Sequence, residues 1–158
     1  MTSTQRISRA ASQAAASRHR LVFVVGDAPG AASQALRDAA ADNDWPLLNV
    51  GLELARALVD IPAPERPLSA PEALKALLPV AGEAPVALDH IEILLDPSLK
   101  LRLFDILLDL SRAQTLLVAW PGRHEGSKLT YAEPGWPEYV TFDASSVSLV
   151  PIQSKERL

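Results

Sequence analysis

The residues with chemistry to offer gather at two places in the sequence. The first is Gly26-Asp27-Ala28-Pro29-Gly30-Ala31-Ala32-Ser33, directly behind an apolar run. A phosphate-gripping loop needs a strand, then Gly-x-x-x-x-Gly-Lys-Ser/Thr, then a helix. Gly26 matches the first glycine, Ser33 matches the hydroxyl that ligates Mg²⁺, and Gly30 relaxes the loop. Ala31 stands at the second glycine position and Ala32 at the lysine position. Taken alone, the segment fits an ordinary strand-to-helix turn better than a phosphate loop. The second place is Val86-Ala87-Leu88-Asp89, apolar residues ending on a carboxylate that can hold Mg²⁺ through water.

The missing lysine has a weight. Its ammonium would contribute roughly 1.5–3 kcal/mol through a charge-assisted hydrogen bond. Groups that stabilise transition-state charge are typically worth on the order of 10²–10³ in rate. Backbone N–H groups at a helix start still favour an anion. Weak ATP and Mg²⁺ binding is therefore compatible with this loop, and fast hydrolysis is not. Arg37, one helical turn beyond Ser33, and Arg123, after a later strand, are the candidate replacement cations; otherwise they are surface arginines. In the additional-strand branch of P-loop proteins, a glutamate soon after the acid polarises water. Glu92 is the catalytic candidate for that role, against the plainer reading of a solvated carboxylate. That branch also carries a polar sensor at the tip of the next strand, where this chain has Trp120-Pro121-Gly122-Arg123. No Ser-His-Asp order or metal-binding histidine pair is present.

The elements that must position these residues are legible. Leu21-Val22-Phe23-Val24-Val25 suits a strand buried on both faces, as in a parallel sheet. A helix is predicted over about 31–42, a short strand over 46–50, and a helix N-capped by Asn49 running to about Val59. Pro62, Pro64 and Pro67 predict a stiff, extended linker. Ser69-Ala70-Pro71-Glu72 predicts a capping box for a helix to Leu78. Asp96-Pro97 predicts the start of one helix reaching about Arg112, followed by a buried strand over 115–120. Segments 128–131, 138–142 and 147–150 read as further strands. Strands alternating with helices predict an α/β fold: a P-loop NTPase-like three-layer sandwich with a mostly parallel sheet and no lid domain. Trp120, Tyr131, Trp136 and Tyr139 either close the core or offer an interface.

Composition narrows the function classes. The 158 residues suit one domain, read as residues 20–152, with a basic Ala/Ser/Arg-rich leader over 1–19 and a C-terminal tail over 153–158. The leader is expected to be a helix or a flexible tail. The chain has no cysteine, so disulfides and thiolate metal sites are excluded and a cytoplasmic protein is expected. The net charge of −4 disfavours a uniformly basic nucleic-acid surface. No apolar run approaches the roughly 20 residues of a membrane span.

Several stretches together resemble one family. They are Pro46-Leu47-Leu48-Asn49-Val50 with Leu52-Glu53-Leu54, Leu88-Asp89-His90-Ile91-Glu92-Ile93-Leu94 with Asp96-Pro97, and Ala119-Trp120. The most specific is Leu129-Thr130-Tyr131-Ala132-Glu133-Pro134-Gly135 with Pro137-Glu138-Tyr139. Over roughly residues 18–150 the chain resembles BrxF, the small P-loop-containing family of type 3 BREX phage-exclusion systems. The family pattern has Gly and Lys where this chain has Ala31 and Ala32. The resemblance implies a component of bacterial anti-phage defence whose partners are other BREX proteins, with DNA contacted indirectly and an oligomer open. Three roles follow: a scaffold or weak nucleotide binder, a slow Mg²⁺-dependent NTPase using Ser33, Asp89 and Glu92, or a DNA-binding accessory using the basic leader.

Overall fold

Strand β1 (Leu21–Gly26) organises the molecule because both of its faces are buried. The computed structural model describes residues 1–80, 82 and 84–154. β1 pairs in parallel with β4 (Leu116–Ala119), Leu21 opposite Leu116, and with β8 (Ser148–Ile152), Val22 opposite Ser148. β3 (Val86–Asp89) pairs with the other side of β4, and β2 (Leu47–Asn49) closes that edge. The resulting order is β2-β3-β4-β1-β8, with every pairing parallel. Successive side chains on a strand point to opposite faces, so β1 feeds two cores. Leu21, Phe23 and Val25 pack beneath α3 (Val50–Leu58), α4 (Arg66–Leu77) and α5 (Leu103–Leu110). Val22 and Val24 pack against α1 (Ser3–Ala14) and α2 (Ala31–Asn43). This is the three-layer α/β arrangement that alternating strands and helices predict.

The N-terminal leader is a layer of this sandwich. Thr2 and Gln5 form a capping box, the Thr2 hydroxyl accepting from the Gln5 N–H at 3.1 Å. Ile7, Ala11 and Ala14 then share one helical face and are all buried. They meet Ala35, Ala39 and Ala40 in the same core, where small side chains let helices approach closely. The Arg6 guanidinium donates to the Pro151 carbonyl at the β8 edge.

Two sequence expectations change. The proline segment is helical: a 3-10 turn over Ala63–Glu65 leads directly into α4, three residues before the expected capping box. Pro64 and Pro67 lie in first turns, where no N–H is needed. The Arg66 side chain binds the Ile61 carbonyl at 2.9 Å. Pro71 sits inside α4, tolerated because Ala70 and Leu74 are fully buried. The expected helix from Pro97 to Arg112 is also broken. A 3-10 turn over Pro97–Leu99, capped by Asp96, stops at Lys100 with φ 51°, and α5 begins at Leu103. Leu99, Leu103 and Leu107 are buried on either side of the break.

The tail forms a separate antiparallel sheet, β5 (Arg123–Glu125), β6 (Lys128–Tyr131) and β7 (Val140–Asp143), before β8 rejoins the parallel sheet. An aromatic cluster fastens it. Phe23 stacks on Phe104 at 5.5 Å, and Trp120 meets Phe23 at 6.0 Å, Phe142 at 5.5 Å and Tyr131 at 6.4 Å. Of the expected C-terminal tail, residues 155–158 lie outside the described residues. The Ser154 N–H reaches Asp27 Oδ1 at 2.9 Å. No helix among the described residues is long and apolar enough to cross a membrane.

Burial of Ile7 at 0% exposure makes the leader a stability determinant. Ile7→Ala should destabilise the fold by about 2–5 kcal/mol, the usual range for a large-to-small core change. Urea denaturation reads this directly, and a loss under about 0.5 kcal/mol, the level of an ordinary surface change, would mean that α1 does not pack in solution.

Candidate functional site

The carboxyl ends of β1, β3 and β4 open into one cleft of about 1070 Å³. This is where parallel α/β sheets bind ligands. The loop of residues 26–30 forms its floor. A Cβ on Gly26 would lie 2.9 Å from both Ala31 Cβ and Ala32 N, so only glycine lets β1 meet α2 this closely. Gly30 has φ 81° and precedes α2, a conformation that glycine adopts freely. The first helical bond runs from Gln34 N–H to the Gly30 carbonyl at 3.0 Å, and the Ala31 N–H turns back to Ala28 at 3.2 Å. The first-turn N–H groups of Ala32 and Ser33 have no intrahelical acceptor. Such groups at a helix start favour an anion. The residue at the expected lysine position, Ala32, is a buried methyl, 5% exposed.

Asp89 ends β3 and is 3% exposed. Burying a carboxylate is costly unless it is hydrogen-bonded. The Ser33 hydroxyl donates to its Oδ2 at 2.8 Å and the His90 N–H to its Oδ1 at 2.9 Å. Arg37 Nε lies 4.0 Å from Oδ2, and His90 Nε2 lies 3.5 Å from it. The structure therefore brings Gly26, Gly30, Ala32, Ser33, Asp89 and Glu92 to one cleft. Ala31 packs beneath it, against Gly26.

The two candidate replacement cations are both engaged by protein groups. Arg37 approaches Asp89, and its Nη2 donates to Gln34 Oε1 at 3.0 Å. Arg123 lines the cleft, but its guanidinium is forked between Glu133 Oε1 at 3.2 Å and the Ala132 carbonyl at 3.1 Å. The tip of β4 is likewise spent on structure. The Trp120 indole N–H is shared between the carbonyls of Arg123 at 3.1 Å and Thr130 at 3.2 Å. A Cβ on Gly122 would fall 2.0 Å from the Thr130 carbonyl oxygen, so the turn after Pro121 needs glycine.

Sequence reasoning did not single out His90, which has φ 54° and stands between two carboxylates, its Nδ1 4.0 Å from Glu92 Oε2. Nor did it assign Glu138 to the cleft, or separate the aromatics. Trp120 is 2% exposed and belongs to the core, whereas Trp136 is 62% exposed at the cleft wall. Only adjacency to Asp89 signalled His90. Glu138 and Trp136 arrive through the β6–β7 connection, which local pattern does not place. No cluster of three or more His, Asp or Glu side chains among the described residues is arranged to cage a metal. Mg²⁺ is commonly held by one or two protein oxygens together with substrate phosphates, and Ser33 and Asp89 are the two oxygens of that kind.

No protein-family model, curated protein or solved structure matches the chain. The resemblance to BrxF thus rests on the sequence phrases themselves.

The cleft has a measurable electrostatic signature. Burial first, then the carboxylates of Glu92 and Glu138, push the Tyr131 phenol above its ordinary value of 10.0. The folded protein therefore keeps this proton where the unfolded chain would release it. The associated stability is fully present below pH 10 and is lost as pH rises through the folded value. In a Tyr139→Phe background, Tyr131 is the sole tyrosine. Its phenol, followed by ultraviolet absorbance, should titrate above 10.0, and Glu92→Gln should bring it down. An unchanged curve would remove Glu92 from its surroundings.

Proposed function

We propose that this chain is a degenerate P-loop-type domain, without an appended lid, that serves as a scaffold in a cytoplasmic BREX-type anti-phage assembly and binds nucleotide weakly at most. One observation carries the reading. At the expected lysine position stands a buried methyl, Ala32, 5% exposed, beside Ser33 and Asp89, which are bonded to each other at 2.8 Å. The sheet order supports the P-loop comparison, because β4 lies between the loop-bearing β1 and the acid-bearing β3. That is the additional-strand arrangement. The phrases shared with BrxF support the defence-system assignment.

The slow NTPase is the second reading, favoured by one fact: Ser33, Asp89 and Glu92 line the same cleft. A DNA-contacting leader has less to use. Arg6 is engaged at Pro151, and one face of α1 is core.

Mg·ATP titration and turnover separate the readings. The wild type should turn over no ATP, and Ala31→Gly with Ala32→Lys should bind Mg·ATP about 10- to 100-fold more tightly, the equivalent of one charge-assisted hydrogen bond. Wild-type turnover abolished by Asp89→Asn would establish the NTPase instead. Co-purification with other BREX proteins should survive both loop substitutions.

A further inference from the structure

The small antiparallel sheet has an unpaired edge. Its order is β5-β6-β7, so β7 has β6 on one side and no strand on the other. One bond fixes the phase of the ladder: the Ala144 N–H reaches the Ser127 carbonyl at 2.8 Å. In antiparallel pairing, hydrogen-bonded and non-bonded residue pairs alternate. With Leu129 opposite Phe142 and Tyr131 opposite Val140, Val140 and Phe142 turn their main chain toward β6. Thr141 and Asp143 therefore turn theirs outward. Both residues are exposed, and no other segment among the described residues pairs with that edge. Such an edge is a template for another strand.

A mainly apolar pocket of about 300 Å³ lies along the same strand. Tyr139, Val140 and Phe142 form one wall, and Leu101 and Phe104, just after the break at Lys100, belong to the other. No residue of β6 lines it, so it lies beyond β7 rather than between the two strands. Side chains alternate across a strand. A strand added to this edge directs every second side chain to the face that Val140 and Phe142 share, over the pocket. The charges of the lining balance except for one. On the wall before and at the start of α5, Asp96 and Asp105 face Lys100 and Arg102, with Arg102 holding Asp105 at 3.7 Å. Glu138, which also borders the larger cleft, stands ahead of β7 and is partly buried. It has no lysine or arginine within ion-pair distance among the described residues.

We propose that the β7 edge receives an extended segment of a partner protein as a further strand, with a large apolar side chain in the pocket and a basic side chain two positions away at Glu138. Main-chain bonds to Thr141 and Asp143 supply affinity, while the pocket and the carboxylate select the sequence, as in other recognition by strand addition. The spacing follows from the strand, since positions two apart share a face. This surface goes beyond the scaffold reading and requires no nucleotide at the larger cleft.

The test uses the full chain and a short blocked peptide of strand-forming residues, with a central leucine and a lysine two positions on, followed by calorimetry. Binding should be saturable and should weaken by about tenfold or more when alanine replaces the leucine. Glu138→Gln should weaken it by about twofold to fivefold. Thr141→Pro removes an outward N–H and spares the β6 ladder, a place where an edge strand accepts proline. It should weaken binding by about tenfold or more, and thermal melts verify that the variant folds. Peptides N-methylated at alternate amides test the ladder without changing the protein: one set should bind and the other should not. Glu125→Gln, on β5 at the far edge of the sheet, should leave binding unchanged. No saturable binding, indifference to Thr141→Pro or to Glu138→Gln, or equal binding of the two methylated sets would overturn the proposal. A concentration-dependent dimer that Thr141→Pro dissolves would also overturn it, by assigning the edge to a second copy of this chain. Mg·ATP turnover by the wild type would overturn the scaffold reading and leave this inference standing.

Discussion

A carboxylate 3% exposed at the end of a central strand must be compensated, and the way Asp89 is compensated shapes this site. Its two oxygens take the Ser33 hydroxyl from α2 and the backbone N–H of His90. The first bond ties the start of α2 to the tip of β3 across the intervening β4. It also sets the loop of residues 26–30, since Ser33 lies in the first turn after Gly30. The second bond accompanies the left-handed turn at His90, which starts the 3-10 segment Ile91–Leu95 and brings Glu92 to the cleft. A lysine in place of Ala32 would add a cation beside this pair. Its absence leaves the pair satisfied by protein groups.

The rest of the cleft follows the same economy. Polar groups at the cleft rim serve the fold. The Trp120 indole, at the tip of β4, binds two carbonyls of the β5–β6 hairpin and packs among Phe23, Tyr131 and Phe142. Arg123 is held by the wall that it would have to leave.

The central strands and the two glycines at the loop were legible because their constraints are local. Leu21–Val25 is apolar on both faces, and Gly26 and Gly30 answer steric demands within a few residues. Asn49 capping its helix was equally local, its Oδ1 accepting from Leu52 N–H at 3.0 Å. The proline segment misled because proline restricts φ to values that a helix start also uses. Buried Ala70 and Leu74 decide between the two. The break at Lys100 left no mark in the apolar spacing, because Leu99, Leu103 and Leu107 would share a face in an unbroken helix as well. The role of α1 was not legible either: Ala11 and Ala14 carry little hydrophobic signal, and only the facing alanines of α2 make them core. Glu138 and Trp136 join Asp89 in the lining of one cleft through tertiary structure, so spacing alone could not bring them together.

The account turns on Ser33 and Asp89 being committed to each other. A double-mutant cycle of Ser33→Ala and Asp89→Asn, read by urea denaturation, measures this most directly. A hydrogen bond to a buried carboxylate predicts a coupling of about 1–3 kcal/mol. Effects that add within about 0.5 kcal/mol would contradict the account, leaving the hydroxyl and the carboxylate free for a ligand.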